Sequence, residues 1–326
     1  MNKDQREKAK VIAGIQKNIR NKKWTCILDD CNDPAINSHL LQQHGVLTEI
    51  CNADNHFYEI RTTNANSWKE DEPPVQFKLV GMKEAISLHL FCNKHDTQLF
   101  SSIEQQMVDF DDYNSQLLFC LRTAYSEIRK KEAANELYKR MLNANTLDLG
   151  YSSKQLLKDT ILLNELGIED VKKDIAVIDQ ELKTPTNRMA FVHKVYDKQE
   201  IYSTAIVSYD PTITNVKDPK QKLDTFFFNV IPFVNELHVL IGYDTNDTNG
   251  SIERYVAKWR NCEKSDLGVM LTGIFASKIE NWGMSVSLYQ QITETKRKEY
   301  ISLFSSKMDE FPEVLTTSFN LFEGIF

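Results

Sequence analysis

The chain has 326 residues, 41% hydrophobic and 26% charged, with a net charge of −7; these values place it among globular proteins with room for two or three domains and a substantial core. No run of 18 apolar residues is present and the start lacks the apolar stretch of a signal peptide, so no membrane partner is expected and the expected compartment is cytoplasmic. Six cysteines are too few for a disulfide framework in a chain of this size and suit a reducing compartment or a metal better.

The charge is uneven. Residues 1–23 carry eight Lys and Arg against Asp4 and Glu7, so the rest of the chain sums to −13. A helix is predicted over 3–20, where Val11, Ile12, Ile15 and Ile19 make one apolar stripe between lysines. Lys17, Arg20, Lys22 and Lys23 are candidate nucleic-acid contacts, and the acidic remainder confines any such contact to this segment.

Cys26-x4-Cys31 is answered by Cys92-x2-His95. Two such pairs read as one tetrahedral zinc site, with a knuckle supplying the first pair and the first turn of a helix the second. Four protein ligands close the shell, so the zinc is expected to be structural. Between the pairs, 46–51 and 56–60 are β-rich runs joined by a turn-like Asn-Ala-Asp-Asn, and 61–76 reads as an exposed loop. Residues 77–80 and 86–91 return as extended segments to Cys92. His44 and His56 are expected to face solvent, and His89 to lie in an apolar strand. A hairpin, a loop and then Cys-x2-His entering a helix is the layout of a treble clef.

From Asp96 the period becomes helical. Leu99, Phe100, Ile103, Met107 and Phe110 share one side of a helix, and Leu117, Leu121, Tyr125 and Ile128 continue as a second. Leu156 to Leu166 form a third, which Gly167 is placed to cap, and Val171, Ile175, Ile178 and Leu182 a fourth, which Pro185 stops. The basic run Arg129, Lys130, Lys131, Lys139 and Arg140 reads as a solvated face.

Alternation replaces the helical period beyond Thr184-Pro-Thr-Asn. Strands are predicted over 189–196, 201–208, 226–233 and 237–243, and the last two suggest a hairpin. Phe226-Phe227-Phe228 reads as a strand covered on both faces. Helices follow at 252–262, 267–279 and 293–308, with a last strand at 283–288. The expected fold class is α+β: a treble-clef (ββα-like) zinc module with a basic N-terminal helix over 1–100, a helical region over 101–183, and over 187–326 an antiparallel sheet with helices on one side. His193, His238, Asp244 and Asp247 show no spacing that separates a site from core and turn residues.

Cys26-x4-Cys31, Asn37-Ser38-His39 and Phe91-Cys92-x2-His95-Asp96 together resemble a degenerate HNH-type treble-clef module, in which a zinc knuckle supports a ββα-metal nuclease site. The stretch 24–104 is also similar to a group of uncharacterised bacterial proteins associated with phage defence. The resemblance implies His39 as the general base and Asp96 beside a second ion, magnesium or manganese. Where that pattern has an acidic metal ligand, this sequence has Ser38. The leading expectation is therefore a zinc-stabilised protein that recognises DNA, RNA or a protein partner within a bacterial defence system. A divergent metal-dependent nuclease is the second expectation, and a ligand-sensing or assembly protein working through the C-terminal domain is the third.

Overall fold

The computed structural model describes residues 3–41, 46–63, 75–84, 87–105, 107–209, 222–246, 250–277, 279, 281–307 and 315–326. The expectations for His44, Ile86 and Asp247, and for most of the loop at 61–76, fall outside them. The N-terminal part contains α1 (Lys3–Arg20), β1 (Asn37–His39), a single turn α2 (Thr48–Ile50), β2 (His56–Thr62), β3 (Val75–Gly81), β4 (Ser87–His89) and α3 (Asn93–Phe100). Two long helices follow, α4 (Tyr113–Asn143) and α5 (Tyr151–Lys183). The last part comprises β5 (Met189–Asp197), β6 (Ile201–Ser208), β7 (Thr225–Phe233), β8 (Glu236–Asp244), α6 (Ser251–Arg260), α7 (Lys264–Phe275), β9 (Trp282–Met284), α8 (Val286–Gln291) and α9 (Glu294–Lys307).

The fold is a mixture of helices and sheet, and its C-terminal strands are antiparallel as expected. The turn at Val234 and Asn235 joins β7 to β8 as a hairpin, whereas β5 pairs with β8 and not with its sequence neighbour β6. The sheet extends further than the sequence indicates. Its order is β3-β2-β9-β6-β7-β8-β5, so β2 and β3, from the segment assigned to the zinc module, are strands of the C-terminal sheet. The short β9 makes the join, pairing with β2 on one side and β6 on the other. The run 46–51 is not a strand: Val46, Leu47 and Ile50 are buried at helical spacing, and 48–50 forms α2.

Helices cover both faces of this sheet, which corrects the expectation of helices on one side. Every residue of β7 is buried. Phe226, Phe228 and Val230 pack into a core with Tyr255, Trp259 and Phe275 from α6 and α7, while Phe227, Ile231 and Phe233 meet Leu117, Cys120 and Leu121 of α4. Successive side chains of a strand point to opposite faces, so a continuous apolar run requires two coverings. Between them Asn229 Oδ1 accepts a hydrogen bond from Thr123 Oγ1 at 3.0 Å, and Thr204 Oγ1 lies 2.8 Å from the same hydroxyl, fixing α4 in register on the sheet.

Gly167 does not end a helix. The third and fourth helical stretches are one element, α5, lying antiparallel to α4. A Cβ at Gly167 would stand 3.0 Å from Lys131 Cε, so this glycine lets the α4 lysine stem lie against α5. The helix predicted from Asp96 to Phe110 is shorter than its pattern: α3 stops at Phe100, Ile103 and Phe110 are buried beyond it, and Met107 is exposed.

Candidate metal centre

Each half of the centre is built from backbone hydrogen bonds. Cys26 N donates to Asp33 O (2.8 Å) and Ala35 N to Trp24 O (2.9 Å), folding 24–35 into a hairpin, with Asp30 at its tip in a left-handed conformation (φ 64°). Asp tolerates that geometry better than most residues. Cys92 has extended backbone at the N-cap of α3, and Asp96 N returns to Cys92 O at 3.0 Å, so Cys92 and His95 are held on one turn. Two further bonds stitch the halves together, Ile27 N to Leu90 O and Ile36 N to Phe91 O, both 2.8 Å.

The four side chains converge. Sγ of Cys26, Cys31 and Cys92 and a ring nitrogen of His95 all lie within 4.8 Å of one another. His95 Nδ1 is 3.4 Å from Cys26 Sγ and 3.3 Å from Cys92 Sγ, and Cys31 Sγ is 3.9 Å from Cys92 Sγ. Zinc bonds of about 2.3 Å to sulfur and about 2.0 Å to nitrogen imply tetrahedral edges of roughly 3.8 Å between sulfurs and roughly 3.5 Å between sulfur and nitrogen. The observed edges match, and no disulfide involves any of the six cysteines. Cys26, Cys31, Cys92 and His95 therefore form a cluster that can hold a metal ion such as zinc.

The environment of the thiols follows from this geometry. Backbone N–H groups of His95 and Lys94, in the first turn of α3, hold Cys92 below the usual thiol range. Asp33 N–H acts the same way on Cys31, but burial and the adjacent Cys26 and Cys92 prevail and push it up to about 11. Like groups this close cannot all ionise without a cation among them.

Asp96 follows the ligand His95 on α3, and Ser38 and His39 belong to β1. β1 pairs antiparallel with β4, placing His39 opposite Ser87 and Ser38 opposite Leu88. Ser38 is buried and His39 half-buried. Burial raises the Asp96 carboxyl, Arg122 lowers it, Glu104 raises it and the Ser38 hydroxyl lowers it, with a net upward shift. The positive charge beside Asp96 is Arg122, itself paired with Glu104 at 2.5 Å.

The basic residues divide into two groups. Lys22 is committed, 3.2 Å from Glu136 and 4.2 Å above the Trp24 ring. It lines a groove of about 470 Å³ with Lys23, Arg129 and Lys139, but Glu132, Glu136 and Glu165 line it too, so the groove has no single sign of charge. Lys17, Arg20 and Lys23 are exposed. On α1, Arg6 and Lys10 join Lys17 and Arg20 on the solvent face, within an arc of roughly 80° at 3.6 residues per turn. Among the described residues none of these four is in an ion pair. Their spacing of 4, 11 and 14 residues from Arg6 is that of one helix face and is visible in the sequence, although the denser basic run at 17–23 masks Arg6 and Lys10.

Compared with family models, curated proteins and solved structures, the chain matches none.

Proposed function

We propose that the protein is a zinc-stabilised nucleic-acid-recognition protein whose zinc module is treble-clef-like and whose contact surface is the outer face of α1. Three thiolates and an imidazole suit zinc over magnesium or calcium, and four protein ligands leave no position for substrate. The ion's contribution is structural: it joins the knuckle to the first turn of α3, and zinc affinity of this kind supplies roughly 10 kcal/mol of apparent folding free energy. The strand pair β1–β4 running into α3 supports the treble-clef reading.

The observation that carries the binding reading is the row Arg6, Lys10, Lys17 and Arg20, exposed along roughly 21 Å of helix in an otherwise acidic chain. On the far side of α1 Ile19 is buried and Val11, Ile12 and Ile15 are half-buried, which turns the row outward. Such cations contact phosphates without reading bases. The test is anisotropy with a labelled duplex across a salt series. Four phosphate contacts give a slope of log K against log salt of roughly −3 to −4, and replacing the four cations with alanine abolishes binding. A flat salt dependence, or binding that survives the replacement, rejects the proposal and leaves a protein partner as the better reading.

The nuclease reading has less support. Ser38 stands where an acidic ligand would, and Arg122 already supplies positive charge beside Asp96. Magnesium- or manganese-dependent cleavage of the same duplex, lost in His39→Ala, would favour it over recognition alone.

A further inference from the structure

A second group of titratable side chains converges where the loop leading into α4 meets the sheet. His193 Nδ1 is 2.8 Å from Asp111 Oδ1, His193 Nε2 is 3.0 Å from His238 Nδ1, and His238 Nε2 is 3.5 Å from Glu236 Oε2. The imidazoles are nearly coplanar, inclined by 14° with centroids 5.2 Å apart, so the 3.0 Å gap lies along the line joining the rings. Phe110 stacks on His238 at 4.0 Å and Phe233 closes another side. Both histidine side chains are largely buried, while Asp111 and Glu236 are 82% and 58% exposed.

The four groups form a hydrogen-bonded row with a fixed demand for protons. It contains three contacts, each needing one N–H, and ionised carboxylates supply none. Two neutral imidazoles carry one N–H each, so the set is one proton short. The deficit falls on the longest contact, where a bare His238 Nε2 faces the Glu236 carboxylate. One added proton closes all three contacts and places a single positive charge between two negative ones. A second would set two cations 3.0 Å apart.

We infer that His193 and His238 form a binding site for one shared proton, and that its uptake clasps the loop at 107–112 to the edge of the sheet. The charged groups facing the pair are Asp111 from that loop and Glu236 from β8; Phe110 and Phe233 contribute only apolar walls. Resistance to a second proton agrees with the environment of His238: burial, then His193, push it down to about 4 against the opposing pull of Asp111. Asp112, the next residue, accepts from Ser115 N at 2.8 Å and caps α4. The clasp therefore acts on the start of the helix that carries Arg122 and Arg129.

The test is imidazole nitrogen NMR on the full chain, with amide hydrogen exchange of 107–112 corrected for its intrinsic pH dependence. Expected is one shared step in which both rings take intermediate shifts, a second step near 4, and exchange of the loop that slows by about tenfold on passing through the first step. Glu236→Gln is the informative variant: its amide donates to His238 Nε2, closing the network with both rings neutral. Its side chain is exposed, and proton affinity of the pair is expected to fall by at least about tenfold, with the pH effect on exchange lost. Two rings titrating independently, no uptake above about pH 5, or an unaltered titration in Glu236→Gln would overturn the inference.

Discussion

Arg129, on α4, donates a hydrogen bond from its guanidinium to the carbonyl oxygen of Thr25 at 2.9 Å, one residue before the first cysteine of the metal centre. The same group lies 4.6 Å from the Trp24 ring and 2.9 Å from Glu132. Arg129 is buried, so the basic run read as a solvated face contains a brace between the long helix and the knuckle. Its planar fork serves a carbonyl, a ring and a carboxylate together, which a lysine ammonium cannot do.

Arg129→Ala is expected to destabilise the zinc-loaded protein by about 2–3 kcal/mol, because it leaves the Thr25 carbonyl without its donor and Glu132 without its buried partner. Arg129→Lys should recover only part of that loss. Urea midpoints at constant slope measure both, and competition with a chromogenic chelator should show faster zinc release in the alanine variant.

Metal analysis should return one zinc per chain, and Cys92→Ser should lose it. Ligand thiols must shed protons to bind, so zinc affinity is expected to fall as pH drops and loading to release protons. Stripping with a strong chelator should expose 24–36 and 90–95 to protease while leaving β5–β8 protected. Retention of full stability without metal would count against the structural role.

Glu181 links the end of α5 to the first residues of the sheet region. It accepts from Tyr113 OH at 2.6 Å and from Thr186 N at 3.0 Å. Burial raises its carboxyl, but hydrogen bonds from Thr186, Tyr113 and Arg188 prevail and hold it at about 2, against 4.5 for the free group. A depressed folded value means stability that is fully present above about pH 4.5 and lost as pH falls toward about 2. Glu181→Gln should lower Tm at neutral pH and flatten this part of the acid denaturation curve.

Gly283 sits in β9, the strand that joins β2 to β6. A Cβ there would stand 2.6 Å from Tyr58 O and 2.7 Å from a Tyr202 ring carbon. The first obstacle is backbone and cannot rotate away. Gly283→Ala is expected to cost about 3 kcal/mol or more by overpacking. Limited proteolysis should then cut between the β2–β3 hairpin and the rest of the sheet, a pattern that the wild type should resist.

Local spacing carried much of this fold. Cys26-x4-Cys31 and Cys92-x2-His95 identified the metal cluster, because a zinc knuckle and a helix N-terminus are short-range structures whose ligands are fixed by separations of five and three residues. Alternation and short apolar runs in 189–243 identified four strands, because a half-buried strand writes its period into the chain and a strand covered on both faces writes a continuous apolar run. The apolar face of α1 was legible for the same reason.

Partners distant in sequence were decided by packing. Nothing local says that β2 joins β6 through three residues near 283, that Gly167 accommodates a lysine stem instead of ending a helix, or that Arg129 reaches back to Thr25. His193 and His238, 45 residues apart, carry no motif; neighbouring strands and Phe110 bring them together. Periodicity records which side of an element is buried, while the identity of what buries it depends on long-range contacts that compete for that surface, and those exist only once the chain has folded.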